Sequence, residues 1–299
     1  MTPMEWGLLV ILSVLWGGAF FLIEVALRGL PPFTIMVFRV AGAALFLWAI
    51  VLVLRTGLPR GWGLWGVLTI MAVFNSALPF SLIGWGQVGI TGGLASILIS
   101  MTPLIAVITA HFFTDDEHLT PLKGLGILSG VVGAAVLIGP EFLRDIGSNV
   151  LSQLAVLGGA VSYSIAAVFG KRFGRKDMSP ISIAAGQVTM AVVLLVPFVL
   201  LFDRPWTLPF PGLDSVAAVA GLALGSTGIA YVIYYRVLAS AGATNLMLVN
   251  FLAPVSALLL GIFILGETLT REQVIGMAFI ALGLVMIDGR VFGRRPGKS

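Results

Sequence analysis

Apolar residues occur along this chain in ten long runs, separated by short polar or glycine- and proline-containing stretches. A helix of about 20 apolar residues crosses a hydrocarbon core about 30 Å thick. Only helices and closed barrels satisfy every backbone hydrogen bond in lipid, and these runs are continuous rather than alternating, so they predict helices. The predicted spans are 5–27, 32–54, 62–87, 91–113, 121–139, 150–170, 180–202, 213–236, 243–265 and 271–288.

The composition agrees with a membrane protein. Of the 299 residues, 59% are hydrophobic and 10% are charged, and the mean hydropathy is +1.08. A soluble domain carries about 25% charged residues, so we predict an all-α integral membrane protein. The chain has no cysteine, which excludes disulfides and thiolate metal sites. The first run has no basic segment before it and aligns with a later run, so we expect it to be retained.

Lysine and arginine residues predict the orientation. With the N-terminus in the cytoplasm, 12 basic residues fall in inside segments and 4 fall in outside loops, while Arg39 lies within a span. The excess of inside charge favours cytoplasmic N- and C-termini. Segments 171–176 and 290–298 contribute most of this excess. We therefore expect a multi-pass membrane protein with both termini in the cytoplasm.

The second half of the chain repeats features of the first half. An internal repeat is the feature that most constrains an architecture. Pro103 and Pro254 lie 151 residues apart. The pairs 150 residues apart are Gly92 and Gly242, Glu117 and Glu267, Leu119-Thr120 and Leu269-Thr270, Gly126 and Gly276, Gly133 and Gly283, and Gly139 and Gly289.

The front of each half repeats as well. Gly17-Gly18-Ala19 in span 1 matches Gly158-Gly159-Ala160 in span 6, and Pro32 to Arg39 in span 2 matches Pro180 to Gln187 in span 7. Each repeat then has five spans, and because five is odd, the second repeat enters the membrane from the opposite side. We predict ten transmembrane helices as two inverted five-helix repeats. Such repeats are typical of secondary transporters, whose substrate site lies near mid-membrane between the halves. The predicted boundaries are 1–145, 146–290 and a basic cytoplasmic tail, 291–299.

These features resemble a known family. Two five-span repeats, each with a proline in the fourth span and Gly-Glu-x-x-Thr or a variant after it, resemble the drug/metabolite transporter superfamily and its EamA-type ten-span bacterial exporters. Gly266 to Thr270 match this motif, whereas Asp116 stands where the first repeat usually has glycine. The resemblance covers the whole chain and is greatest to the YddG-type aromatic amino-acid exporters. It implies export of small metabolites, with amino acids expected and aromatic ones favoured.

Polar and aromatic side chains at mid-depth are the candidate substrate-binding residues. Amides and hydroxyls buried in lipid need partners, which a wet cavity supplies. Each one alone could instead form an interhelical hydrogen bond. Together they suit an amphipathic or zwitterionic metabolite, because aromatic faces stack on rings and attract ammonium groups. The candidates are Trp16, Arg39, Asn75, Ser76, Tyr163, Gln187, Ser226, Tyr231, Tyr234 and Asn250.

Glu24 and Arg39 are the charged side chains that lie clearly within spans of the first half, and an intramembrane charge is a functional hypothesis by default. An ion pair between them would close an outer gate, or Arg39 would meet a substrate carboxylate. The alternatives are a structural pair, or Glu24 reaching the interface. Gln187 is the counterpart of Arg39, so the halves offer different groups at matched depth.

Prolines, turn carboxylates and glycines give three further predictions. Pro103 and Pro254 are candidate hinges, although each could be a static kink that improves packing. Glu117 and Glu267 are gate carboxylates or, as we favour, caps of the following helix together with Thr120 and Thr270. The glycine series of spans 5 and 10 predicts close helix packing, within the molecule rather than in a dimer.

Several function classes are disfavoured. His111 and His118 lack the further ligands of a metal site, and the chain has no G-x-x-x-x-G-K-[ST] phosphate loop, so we expect no cofactor and no ATP-driven step. No clustered nucleophile and base indicates an enzyme. The leading hypothesis is a secondary exporter in the lipid bilayer, monomeric or weakly dimeric, with no nucleic-acid partner. Alternatives are a nucleotide-sugar or phosphometabolite exchanger, which needs several cations, and a membrane scaffold. Glu24 is the candidate for proton coupling, and an uncoupled facilitator stays open.

Overall fold

The computed structural model describes residues 1–57, 59, 61–113, 120–138, 148–173, 179–246 and 248–288. Every regular element in these ranges is helical. A single turn, Ala243–Leu246, precedes the ninth labelled helix. We label the helices α1 (Pro3–Ala26), α2 (Pro32–Val53), α3 (Trp62–Gly86), α4 (Gly92–Phe113), α5 (Pro121–Ile138), α6 (Ser148–Phe173), α7 (Pro180–Asp203), α8 (Leu213–Ala241), α9 (249–265) and α10 (Arg271–Asp288).

Seven helices in the described part of the chain are long and apolar enough to cross a membrane: α1, α2, α3, α4, α6, α7 and α8. Helices α5 and α9 contain the shorter apolar segments Pro121–Val136 and Leu252–Leu265. Helix α10 begins with Arg271 and Glu272. The helices lie where the apolar runs predict them. The largest difference is in the ninth span, which was predicted from residue 243, whereas α9 begins at 249 after a turn at Gly242 with φ +81°.

Local capping explains several helix ends. The Thr120 hydroxyl accepts from the Lys123 N–H at 3.3 Å, and the Thr270 hydroxyl accepts from the Gln273 N–H at 3.2 Å. Both threonines therefore cap the following helix, as predicted. Helix α9 ends at Gly266, whose φ of +72° places it in the left-handed conformation that glycine adopts without a Cβ clash.

Four of the described helices contain π-helical segments: α7 and α9 have them at their ends, and α3 and α8 have them at matching places in the repeats. Residues Val73–Ala77 widen α3, and residues Gly221–Ile229 widen α8. Ser76 and Ser226 lie in these segments, 150 residues apart. A π-helical turn reorients the side chains that follow it and occurs frequently at functional sites. The segments therefore mark α3 and α8 as helices that present polar groups to the interior.

The two prolines predicted as hinges have different surroundings. Helix α4 has a turn at residues 100–101, immediately before Pro103, and resumes at Thr102. Pro254 instead lies inside the helical segment Val249–Leu260 and is buried. The helix interruption is therefore present beside Pro103 and absent beside Pro254. A proline removes one backbone hydrogen bond in either case.

Most helix contacts have a counterpart in which each helix is replaced by the corresponding helix of the other repeat. Helix α1 packs against α9, and α6 packs against α4. Helix α1 also contacts α8, as α6 contacts α3, and α2 contacts α8 as α7 contacts α3. Helices α2 and α7 pack against each other, and so do α5 and α10. Exchanging the first repeat for the second therefore leaves this contact pattern unchanged.

The ends of α2 and α7 bind each other reciprocally. Asp203, at the end of α7, accepts from the Thr34 N–H at 2.6 Å and from the Thr34 hydroxyl at 2.8 Å, near the start of α2. The hydroxyls of Thr56, just after α2, and Ser182, near the start of α7, are 3.0 Å apart. Because each helix begins where the other ends, α2 and α7 run antiparallel.

Glycines bring α5 and α10 into backbone contact. A Cβ built on Gly126 would lie 2.8 Å from the Gly283 carbonyl oxygen, and one built on Gly133 would lie 2.6 Å from the Gly276 carbonyl oxygen. Real Cβ atoms do not approach this closely, so larger residues would push the helices apart. The glycine series thus lies in an intramolecular contact. Gly139 and Gly289, like Glu117, Asp116, His118 and the tail 291–299, lie outside the described residues.

Candidate functional site

A buried arginine lies between the repeats. Arg39 on α2 is 6% exposed, and its Nε donates to the Thr227 hydroxyl on α8 at 2.9 Å. Its Cζ lies 3.8 Å from the centroid of the Phe80 ring on α3. The hydrogen bond to Thr227 holds one edge of the guanidinium, and the Phe80 ring attracts one face of the guanidinium.

Gln187, the counterpart of Arg39, makes the matching contact. Its Nε2 donates to the Ser76 hydroxyl at 3.0 Å and lies 3.4 Å from the Tyr231 hydroxyl. Gln187 is 3% exposed and Ser76 is fully buried. Arg39 thus joins α2 to the π-helical segment of α8, and Gln187 joins α7 to the π-helical segment of α3. The four residues, with Tyr231, are called the central site below.

The charge on Arg39 is uncompensated in the described part of the chain. No described carboxylate forms an ion pair with it, and the titratable groups that act on it are Tyr163 and Tyr231. Tyrosine is neutral at neutral pH. A buried charge is costly unless it is paired, so the central site holds a cation that is fit to receive an anion.

An aromatic series extends from the central site across α8 to α1. The Tyr231 and Tyr235 rings are 6.3 Å apart, the Tyr235 and Tyr234 rings are 5.1 Å apart, and the Tyr234 and Trp16 rings are 5.7 Å apart. Offset and edge-to-face rings at these distances stabilise one another. The predicted residues Tyr234 and Trp16 therefore lie in this aromatic series, two and three ring contacts away from Tyr231.

The remaining predicted binding residues are less involved. Ser226 is buried beside Thr227, and Thr227 rather than Ser226 contacts Arg39. Asn75 and Asn250 are half-buried, and neither side chain forms a hydrogen bond to another described residue. The structure therefore brings Arg39, Ser76, Gln187 and Tyr231 together, with Tyr163 near enough to act on Arg39 electrostatically. Thr227, Phe80 and Tyr235 are additions to the predicted set.

Glu24 does not pair with Arg39, so the predicted outer ion pair is wrong. The Glu24 Oε2 atom accepts from the Gly92 N–H at 2.8 Å, at the start of α4. The Glu267 carboxyl lies against the same turn: a Cβ built on Gly93 would lie 2.6 Å from its Oε2 atom, and Glu24 is near enough to act on its ionisation. Glu267 is also not a cap of α10, because its carboxyl binds the first turn of α4. The free N–H groups and positive dipole end of that helix attract both carboxyls.

Glu24 affects the ionisation of Glu267. Partial burial, then the proximity of Glu24 and its negative charge, raise the pKa of Glu267 to about 7. A neighbouring negative charge disfavours the ionised form of a carboxyl. Near neutral pH, Glu267 therefore gains or loses a proton at the contact between α1, α4 and the loop before α10. Among the described residues, no group of three His, Asp or Glu side chains is suited to hold a metal ion.

The all-helical architecture, the seven candidate spans and the polar site inside the helices define a multi-pass membrane protein. The EamA-like transporter family model matches residues 4–139 and 150–288, so the chain belongs to the EamA-like transporter family. The resemblance to that family is thereby confirmed.

Relatives of similar length have transporter names. An uncharacterized transporter of Archaeoglobus fulgidus is 26% identical over 95% of this chain and 98% of its own. The Bacillus subtilis uncharacterized transporter YoaV is 25% identical over 96% and 97%, and the Escherichia coli uncharacterized inner membrane transporter YedA is 26% identical over 97% and 93%. A crystal structure with 22% identity aligns with a TM-score of 0.69 over 99% of this chain and 100% of its own, which shows the fold alone.

Proposed function

We propose that this protein is a secondary transporter that exports small amphipathic metabolites, amino acids with aromatic ones favoured, by alternating access. The observation that carries the proposal is the matched pair Arg39 and Gln187, buried where α2 and α7 of opposite repeats meet α8 and α3. Intramembrane polar groups that face the helix bundle mark substrate pathways. Their place between the repeats is where a transporter of this architecture binds its solute.

Three reciprocal contacts support an inverted arrangement of the repeats. Around a two-fold axis, a contact from residue i to residue j requires its counterpart from j to i. The contacts Arg39–Thr227 and Gln187–Ser76 join the same pairs of helices and form one such pair, one residue out of register because the counterpart of Ser76 is Ser226. The ends of α2 and α7 form a second, and the glycine contacts of α5 and α10 form a third. Antiparallel α2 and α7 fit an axis in the membrane plane.

The finer topology is part of the proposal. Helices α5, α9 and α10 complete ten spans, in five-helix repeats 1–145 and 146–290. The basic residues favour cytoplasmic termini, which places Glu24 and Glu267 at the external end. The name of YedA, an uncharacterized inner membrane transporter of Escherichia coli, supports a bacterial inner membrane as the location of this chain. The protein acts as a monomer or weak homodimer, and its partners are the solute and lipid.

The side chains of the site favour an aromatic amino acid. Tyr231, Tyr235, Tyr234 and Trp16 offer ring faces, and Ser76 and Gln187 offer neutral hydrogen-bonding groups. The resemblance to aromatic amino-acid exporters agrees with this set. A nucleotide sugar carries phosphates and needs several cations, whereas the central site has one. An amino acid is therefore preferred to a nucleotide sugar as the transported solute.

Saturable uptake of labelled amino acids into proteoliposomes tests the proposal. We expect flux of aromatic amino acids by the wild-type protein. The Gln187→Ala variant should raise KM about 5- to 100-fold, because a buried hydrogen-bonding group is worth about 1–3 kcal/mol when its partners are left unpaired. Gln273→Ala, which removes a glutamine from the first turn of α10, is the control and should keep the wild-type KM. Absence of flux for every solute in a broad metabolite panel would contradict the proposed transport.

A further inference from the structure

The unused donors of Arg39 point to one feature of the solute. Arg39 forms one side-chain hydrogen bond, from Nε to Thr227, and its two Nη groups donate to no described residue. The side chain is 6% exposed, so bulk water does not solvate it as it would a surface arginine. A buried cation without a counter-ion is costly to keep. We infer that the Nη groups bind a carboxylate of the transported solute.

The geometry selects a carboxylate among anions. A guanidinium binds a carboxylate through two parallel N–H donors, and this bidentate contact is stronger than a neutral hydrogen bond. Phe80 covers one face of the guanidinium and Thr227 occupies Nε, so the Nη edge is the part left for a ligand. Ligand oxygens therefore have to lie in the guanidinium plane, where a planar carboxylate fits.

The charge balance selects a solute with a single carboxylate group. The other members of the central site, Ser76, Gln187, Thr227 and Tyr231, are neutral at neutral pH. A single carboxylate neutralises Arg39, whereas a phosphate monoester or dicarboxylate would leave a buried negative charge unpaired. The inferred ligand is a small organic monocarboxylate, with an apolar body that reaches the aromatic series. This inference rests on the proposed function, because it names the chemical class of the solute at the site of transport.

The direct test compares acids with their neutral amides on the purified wild-type protein. The probes are 3-phenylpropionate against 3-phenylpropanamide, and L-phenylalanine against L-phenylalaninamide, with binding measured by thermal stabilisation in detergent. We expect each acid to bind about 10- to 100-fold more tightly than its amide, the range given by a charged bidentate hydrogen bond. Equal binding of acid and amide, or no binding of either acid, would overturn the inference. No variant is needed, so a folding defect cannot obscure the result.

Variants of Arg39 then assign the effect to this residue. Arg39→Gln should abolish the preference for the acid over the amide. Arg39→Lys keeps the charge without the bidentate edge, and should weaken binding of the acids about tenfold. Arg28→Gln, the same change at an exposed arginine after α1, is the control and should bind like the wild-type protein. An acid preference that survives in a folded Arg39→Gln protein would overturn the assignment.

The binding and flux measurements separate this inference from the proposed function. Flux of solutes in proteoliposomes without any preference for a carboxylate would leave transport standing and overturn the role of Arg39. Acid-selective binding that Arg39→Gln removes, with no flux of any solute, would support the role of Arg39 and contradict transport.

Discussion

Replacing Gly17 with alanine is expected to separate α1 from α9, abolish transport and lower the thermal stability of the protein. The new Cβ would overlap the carbonyl oxygen of Ala253, and would lie 2.8 Å from the Ser256 Cβ and 2.9 Å from the Ala257 nitrogen. Two of these three atoms belong to the backbone of α9 beside Pro254, so they cannot rotate away as a side chain would. Overpacking of this kind costs about 1–3 kcal/mol.

Gly7→Ala is a matched control for this prediction. Gly7 lies in the same helix, and a Cβ built there meets nothing within 4 Å. Both variants gain the same helix propensity, about 1 kcal/mol for alanine over glycine, so the difference between them isolates the helix contact. The measurements are thermal unfolding in detergent and flux in proteoliposomes. If Gly17→Ala and Gly7→Ala unfold at the same temperature, α1 and α9 do not need this close approach.

Raising the pH through about 7 is expected to weaken the contact between Glu24, Glu267 and the start of α4. The pKa of Glu267 is raised to about 7 in this arrangement, chiefly by burial and then by Glu24, whereas a solvated glutamate has a pKa near 4.3. The arrangement therefore favours the protonated form. It has its full stability below about pH 4, loses it between about pH 4 and 7, and is weakest above pH 7.

The charges around Glu267 make this titration specific. Helix α4 starts with Gly92-Gly93-Leu94, and the facing residues of α9, Leu258 and Gly261, are apolar, so neither contributes a titratable group there. Helix α10 begins with Arg271 and Glu272, and α1 contributes Glu24. Glu24 is the charged group that raises the pKa of Glu267. The protonation of Glu267 should therefore control how tightly α1, α4 and the loop before α10 pack at this end.

Hydrogen exchange of the backbone at residues 87–95 measures the contact, because the Gly92 N–H binds Glu24 and the Glu267 carboxyl lies against Gly93. Between pH 6 and pH 8 the ionised fraction of Glu267 rises from about 10% to about 90%, and protection should fall several-fold. Glu267→Gln removes the titration and keeps a hydrogen-bonding group. Comparing both proteins at each pH cancels the intrinsic pH dependence of exchange. The same pH profile in both would contradict a role for Glu267.

The helices and part of the site could be predicted because they depend on local sequence. Apolar runs fix the helices, since backbone groups in lipid must pair within the helix. The repeat spacing matched Arg39 with Gln187 and Ser76 with Ser226, and three of these four residues lie in the central site. Ser226 does not contact Arg39, because the π-helical segment of α8 presents Thr227 instead. A one-residue change of this kind is not visible in an apolar sequence.

The partners of Glu24 could not be predicted, for a physical reason. Helix α1 is apolar on all sides, so its sequence does not show which side faces the protein and which faces lipid. The contact with Gly92 and Glu267 depends on that rotation and on residues 68 and 243 positions away. Arg39 is nearer in sequence and opposite in charge, but the packing of α2 against α8 and α3 gives it Thr227 and Phe80 instead.

The unequal pair Arg39 and Gln187 has a consequence for how such a site can arise. In a dimer of identical five-helix subunits, the counterpart of Arg39 would be a second arginine, and two like charges would share one buried interior. Joining both halves in one chain lets the two equivalent positions carry different residues. One position then keeps the cation of Arg39, and the other has the neutral amide of Gln187. A symmetric pore lined by identical groups cannot distinguish the head of a solute from its tail. A fused chain can, and a solute of the proposed transporter would then bind the central site in a single orientation.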